Sequence, residues 1–209
     1  MTKFLQVVTS KVFIGLACLL LGAAVILGIR FVMYKPPEEV HYHANFALYI
    51  NGQREAFKGD ANYSETEMCA ANTAMSPEER AHMHDHVNNV VHVEDHAVTW
   101  GQFFANLRFT IGPDMVEVPD GTVYAENGSA KLHVILNGQD LTGLSNISNT
   151  VVKDQDRLLI SYGDETDAEL QHQYTAIPAT AHKYDTAPDP KSCSGAKAVT
   201  QRDRLRHLF

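Results

Sequence analysis

The chain has 209 residues, 44% of them apolar and 20% charged, a balance that supports a packed core and excludes wholesale disorder. A formal charge of -8 argues against a nucleic-acid binder, which normally carries a basic footprint. Three cysteines are too few for a disulfide-built mini-protein, and the 11 histidines are the compositional excess.

The charge is unevenly placed. Residues 1–35 carry Lys3, Lys11, Arg30 and Lys35 and no acid; residues 196–209 carry Lys197, Arg202, Arg204 and Arg206 against Asp203. Between them, residues 36–195 hold 9 basic and 24 acidic side chains, a net of -15 that attracts cations. The basic tail reads as a solvated terminus in preference to a membrane-touching or neighbour-touching one.

Val12 to Ile29 is an eighteen-residue run without a charge, and Phe31-Val32-Met33-Tyr34 extends its apolar character. About 20 apolar residues span a hydrocarbon core, so residues 12–34 are expected to anchor the chain in a membrane. Gly22-Ala23-Ala24 offers a small-residue cleavage site, but apolar residues continue well past it. Cys18 lacks the upstream leucine of a lipoprotein signal. An uncleaved anchor over residues 1–35 is the favoured reading.

The flanking cations, Lys3 and Lys11 against Arg30 and Lys35, nearly tie under the positive-inside rule. Cysteine usage leans outward: Cys69 and Cys193 form a natural disulfide pair in a non-reducing compartment, with free thiols or metal ligands as the alternative. The C-terminal domain is therefore placed outside the cytoplasm. Residues 186–209 would be a segment partly tied by Cys193.

Pro36-Pro37-Glu38-Glu39 is a stiff stalk, residues 36–39. From Val40 to Ile50 the residues alternate, with Tyr42, Ala44, Phe46, Leu48 and Ile50 on one face and His41, His43, Asn45, Ala47 and Tyr49 on the other. Period two predicts a strand. Asn51-Gly52 then predicts a type I′ hairpin turn, and Lys131–Leu136 followed by Asn137-Gly138 repeats the signal. A last strand is expected over Asp156–Tyr162.

Ser76-Pro77-Glu78-Glu79 has the capping box of a helix running through Met83 toward His86 or Asn88. Thr99 and Gln102 cap a second helix, with Trp100, Phe103, Phe104 and Leu107 on its buried side. Val90-Val91-His92-Val93 between them reads as a short strand. The expected fold class is α+β: an N-terminal transmembrane helix, then one mainly antiparallel-sheet domain over 40–185 with two short helices.

Eight potential ligands lie between residues 41 and 96: His41, His43, His82, His84, His86, His92, Glu94 and His96. A metal requires imidazole nitrogens converging at about 2 Å from one point. His41 and His43 share a strand face, and His92, Glu94 and His96 alternate likewise. His82 and His86 share a helical face while His84 turns away; if the helix ends at His82, all three line an extended segment. Asp85 and Asp95 are candidate carboxylates for orienting imidazoles. His133 reads as a core histidine, and His172, His182 and His207 as exposed ones.

Imidazole with carboxylate suits zinc, and imidazole with thioether suits copper, for which Met68, Met75 and Met83 are the nearby candidates. Zinc is favoured slightly. The seven histidines 41, 43, 82, 84, 86, 92 and 96 form the candidate divalent-metal site. No H-E-x-x-H, nucleophile elbow or phosphate-cradling loop is present, so a binding role outranks an enzymatic one. The alternatives are a metal-dependent hydrolase or lyase, using an open fourth position, and a pH-sensitive histidine interface.

KLHVILNGQDL and VVKDQDRLLISYG resemble the sheet halves of ubiquitin-like β-grasp modules, which implies a fold and no activity. HYHANFALYINGQREAF, ERAHMHDHVNNVVHVEDHAVTWGQFF, DRLLISYG and DPKSCSG together resemble small membrane-anchored proteins of candidate-phylum bacteria. That second resemblance implies a bacterial, outward-facing, histidine-bearing domain. Where its pattern leads one to expect a histidine, this chain has Glu94.

Overall fold

The computed structural model describes residues 11–35, 40–59, 62–63, 76–83, 86–143, 146–186 and 200–208. Contacts divide the chain into two units, residues 1–38 with 196–209 and residues 39–195. In the first, helix α1 (Lys11–Met33) is one unbroken run of 23 residues, and Phe13–Met33 is long and apolar enough to cross a membrane. At about 1.5 Å per residue it is roughly 35 Å long, against a hydrocarbon thickness of about 30 Å.

The second unit is built on strand β1 (Tyr42–Ile50). Asn51 and Gly52 both have positive φ, 49° and 75°, as a type I′ turn requires, and they return the chain into β2 (Gln53–Arg54). The same device, Asn137 (54°) and Gly138 (78°), links β8 (Lys131–Leu136) to β9 (Gln139–Asp140). β3 (Ala81–His82), β4 (Val90–Val93) and β10 (Arg157–Gly163) complete the main sheet, in the order β3-β4-β1-β10-β8-β9 with β2 also on β1. Every pairing is antiparallel except the central one: β1 and β10 run parallel, with Phe46 beside Leu158 and Leu48 beside Ile160. A small antiparallel sheet, β5 (Thr110–Ile111), β6 (Met115–Glu117) and β7 (Val123–Ala125), adjoins it in chain order.

Both faces of the central strands are covered. On one face Ala44, Phe46 and Leu48 join Val91, Val93, Leu158 and Ile160 to form the main core. Helix α3 (Trp100–Asn106) packs there, burying Trp100, Phe103 and Phe104; Phe46 meets the Phe103 ring edge-on at 4.9 Å. The Thr99–Gln102 capping box is formed. Gly101 has no room for a side chain, because a Cβ there would lie 2.6 Å from the Ser148 carbonyl oxygen.

The opposite face carries a smaller apolar cluster of Ala47, Leu159 and Ile177. Two helices accompany it: α4 (Asp167–Thr175), capped by Thr166 and Glu169, and α5 (Ala181–Thr186). Arg157 ties the end of α4 to β10 by donating to the Tyr174, Thr175 and Ile177 carbonyls. These helices were not expected from the sequence.

Helix α2 departs from expectation too. Its capping box, Ser76 with Glu79, is present, yet the helix covers only Pro77–Arg80 instead of reaching His86. Ala81 is extended (φ -154°, ψ 125°), because Ala81 and His82 pair with Val93 and His92 at the sheet edge. Asn106 reinforces the break by donating to both the Pro77 and Ala81 carbonyls. Tertiary pairing overrides a sound local start signal.

Candidate metal centre

Three adjacent strands each place a histidine on the same row. His43 of β1 lies opposite His92 of β4, which in turn lies opposite His82 of β3. Residues two apart on a strand share a face, so His41 and Glu94 continue that face just beyond the row. All three histidines of the row are buried: His43 at 0%, His92 at 2% and His82 at 5% relative exposure.

The donor atoms of His41, His43 and His92 all lie within 4.8 Å of one another. His43 Nε2 is 2.7 Å from His92 Nδ1, with the rings meeting edge-on at 4.0 Å. Donors on a tetrahedral ion sit about 3.3 Å apart, given bonds of about 2.0–2.1 Å. That pair is therefore a hydrogen bond between imidazoles, and it would have to open by roughly 0.6 Å to admit a zinc-sized ion. The His41 Nε2 to Glu94 Oε1 distance, 3.5 Å, already matches such an edge. His82 stacks on His92, centroids 5.8 Å apart and planes 13° apart, giving the row a flat outer wall.

α5 lies over the row. Asn45, two residues after His43 on the same face, accepts from the Thr180 and Ala181 amides at 2.9 and 2.8 Å, which caps the helix start. The helix then carries Tyr184 to 5.7 Å from the His43 ring and 5.9 Å from the His92 ring. Asp185 Oδ1 sits 2.5 Å from His43 Nδ1. With Nδ1–H donating to the carboxylate, His43 presents the Nε2 lone pair toward His92, the arrangement that raises a ligand imidazole's basicity. Nearby, burial and the charges of Asp156 and Asp154 push the Tyr42 phenol's pKa up; its hydroxyl donates to the Val152 carbonyl on the opposite face.

The remaining candidates fall elsewhere. His86 lies in a turn with φ 56°, its ring 4.9 Å from that of Tyr63. His96 is exposed. Asp95, expected to orient an imidazole, instead accepts from Arg80 Nε and from the His96 amide, each at 2.7 Å. Met83 is fully buried in the main core, so its thioether is on the wrong face for the row. His133 is half-buried on β8 opposite Ser161 rather than enclosed in the core. His84, Asp85, Met68, Met75, Cys69 and Cys193 lie outside the described residues, and with them the expected disulfide.

Tyr184 and Asp185 were not singled out from the sequence. Asp185 is 142 residues from the histidine it contacts, and no spacing rule connects them. A comparison of the chain with protein-family models, curated proteins and solved structures finds no match.

Proposed function

We propose that this chain is a membrane-anchored, extracytoplasmic divalent-metal-binding protein, with His41, His43 and His92 as ligands and Asp185 as the orienting carboxylate. The convergence of three largely buried imidazoles within 4.8 Å is the observation that carries this reading. The net charge of -15 over residues 36–195 favours cation capture. Glu94, 3.5 Å from His41 Nε2 and beside the three-histidine group rather than in it, is placed to add a fourth donor, an oxygen, and three imidazoles with a carboxylate suit zinc. Copper has less support, because Met83 is turned into the core. The job proposed is metal capture or metal-stabilised structure.

The anchor in this reading is α1, and the facing of the domain away from the cytoplasm leans on the cysteine usage, with Cys69 and Cys193 taken as a pair in a non-reducing compartment. Kinship with β-grasp modules belongs to the same proposal. It is supported by a sheet whose first and last long strands run parallel at its centre, flanked by antiparallel partners, with α3 against one face.

The test is metal analysis of the detergent-solubilised full chain after expression with zinc and copper supplied. One equivalent of zinc per chain is expected, falling below a tenth in His43→Ala/His92→Ala. A parent protein without stoichiometric zinc or copper overturns the proposal.

A further inference from the structure

Cations gather at one end of α1. Arg30 and Lys35, beside its last turn, are exposed, and α6 (Gln201–Arg206) adds Arg202 and Arg206, exposed as well. Arg204 joins the two elements: its Nη1 donates to the Phe31 and Val32 carbonyls, both at 2.8 Å. Its guanidinium also lies 5.9 Å from the centre of the Phe31 ring. Tyr34 and His207 then stack at 4.8 Å, with planes 11° apart. The tail expected to be a solvated terminus is thus docked on the anchor helix.

The physical reason is local. The last carbonyls of a helix have no intrahelical partner and carry the negative end of its dipole, so a guanidinium settles there. Arg204 is committed to that contact, which leaves Arg30, Lys35, Arg202 and Arg206 facing outward. Across residues 30–35 and 200–208 there are five cations against one acid, Asp203.

Taking α1 as a membrane span, on which this inference rests, its last turn stands at headgroup level. We infer that the end of α1 and α6 form a cationic collar that binds the phosphate headgroups of anionic lipids. Arginine's planar fork matches phosphate oxygens, and several cations on one short surface reinforce each other. Leu205, 57% exposed on the same helix, gives α6 the apolar side chain that an interfacial helix beds into the acyl boundary. A free phosphate shares the headgroup chemistry but makes no use of Leu205 or of the membrane boundary.

The experiment uses the full chain in neutral detergent and fluorescently labelled phosphatidylglycerol, read by anisotropy, with labelled phosphatidylcholine as the control. Phosphatidylglycerol is expected to bind and phosphatidylcholine to bind far more weakly. Arg202→Gln/Arg206→Gln is expected to weaken phosphatidylglycerol binding roughly 25-fold, about fivefold per cation, with zinc content and circular dichroism unchanged. Equal binding of the two lipids, or an unweakened double variant, overturns the collar. Competition by inorganic phosphate at the same concentration as the lipid overturns the lipid assignment. Alkaline carbonate extraction of expressing membranes separates the two readings: release of the chain removes the membrane span, whatever the lipid result.

Discussion

The carboxylate of Asp185, 2.5 Å from His43 Nδ1, decides which ring nitrogen of that histidine is available to a metal. Without it the imidazole is free to adopt the other tautomer or to turn. Asp185→Asn keeps the shape and removes the charge. It is expected to lower zinc affinity about 10–100-fold, as other carboxylates that orient ligand histidines do. Competition with a chromophoric chelator measures this directly; unchanged affinity would show that Asp185 only packs. At this scale the sequence was partly legible. His41 and His43 were placed together by strand spacing, and His92 by its alternation with Glu94 and His96, the last of which is exposed. Asp185 was illegible, because a carboxylate in a short helix carries no mark of a partner 142 residues away.

Short elements obey their neighbours more than their caps. The Ser76 box starts a helix that four residues later yields to pairing with β4. At α3 the same kind of box is followed by Trp100, Phe103 and Phe104, whose burial sustains the helix. The capping signals were therefore readable as starts, while lengths depended on what each helix packs against. At α4 the Thr166 amide and hydroxyl hold the Glu169 carboxyl below the usual carboxylate range. A depressed folded-state pKa contributes stability that is present above the unfolded value and lost as pH falls through the folded one. Denaturant titrations should therefore show the parent losing more stability between pH 6 and 3 than Glu169→Gln, whose amide does not titrate. Parallel losses in the two proteins would rule out this capping contribution.

Over the domain, the parallel pairing of β1 with β10 makes both central strands inner strands, covered on both faces. That was the least legible part of the fold. Alternation along β1 marks His41, His43, Asn45, Ala47 and Tyr49 as the polar side, which normally meets solvent. Here α5 and the Ala47–Leu159–Ile177 cluster occupy that side, so the polar row becomes an interior surface. A site enclosed this way couples metal to global stability, since an ion bound only by the folded state stabilises it by mass action. Zinc at a hundred times its dissociation constant is expected to add about 2.7 kcal/mol. That is a rise in melting temperature of roughly 5–10 °C for a domain of this size. Chelator should reverse the rise, and a melting temperature indifferent to both would detach the histidines from the fold's stability.

The central parallel pair also sets a clock. β1 emerges from the ribosome early, but its partner β10 is some hundred residues further on, about 5–20 s later at ordinary elongation rates. Until then the row of histidines has a floor on only one side and no helix above it. On the proposed metal-binding reading, acquisition of the ion therefore belongs to the finished chain rather than the growing one. A protein routed across a membrane while still unfolded would meet its ion only at its destination.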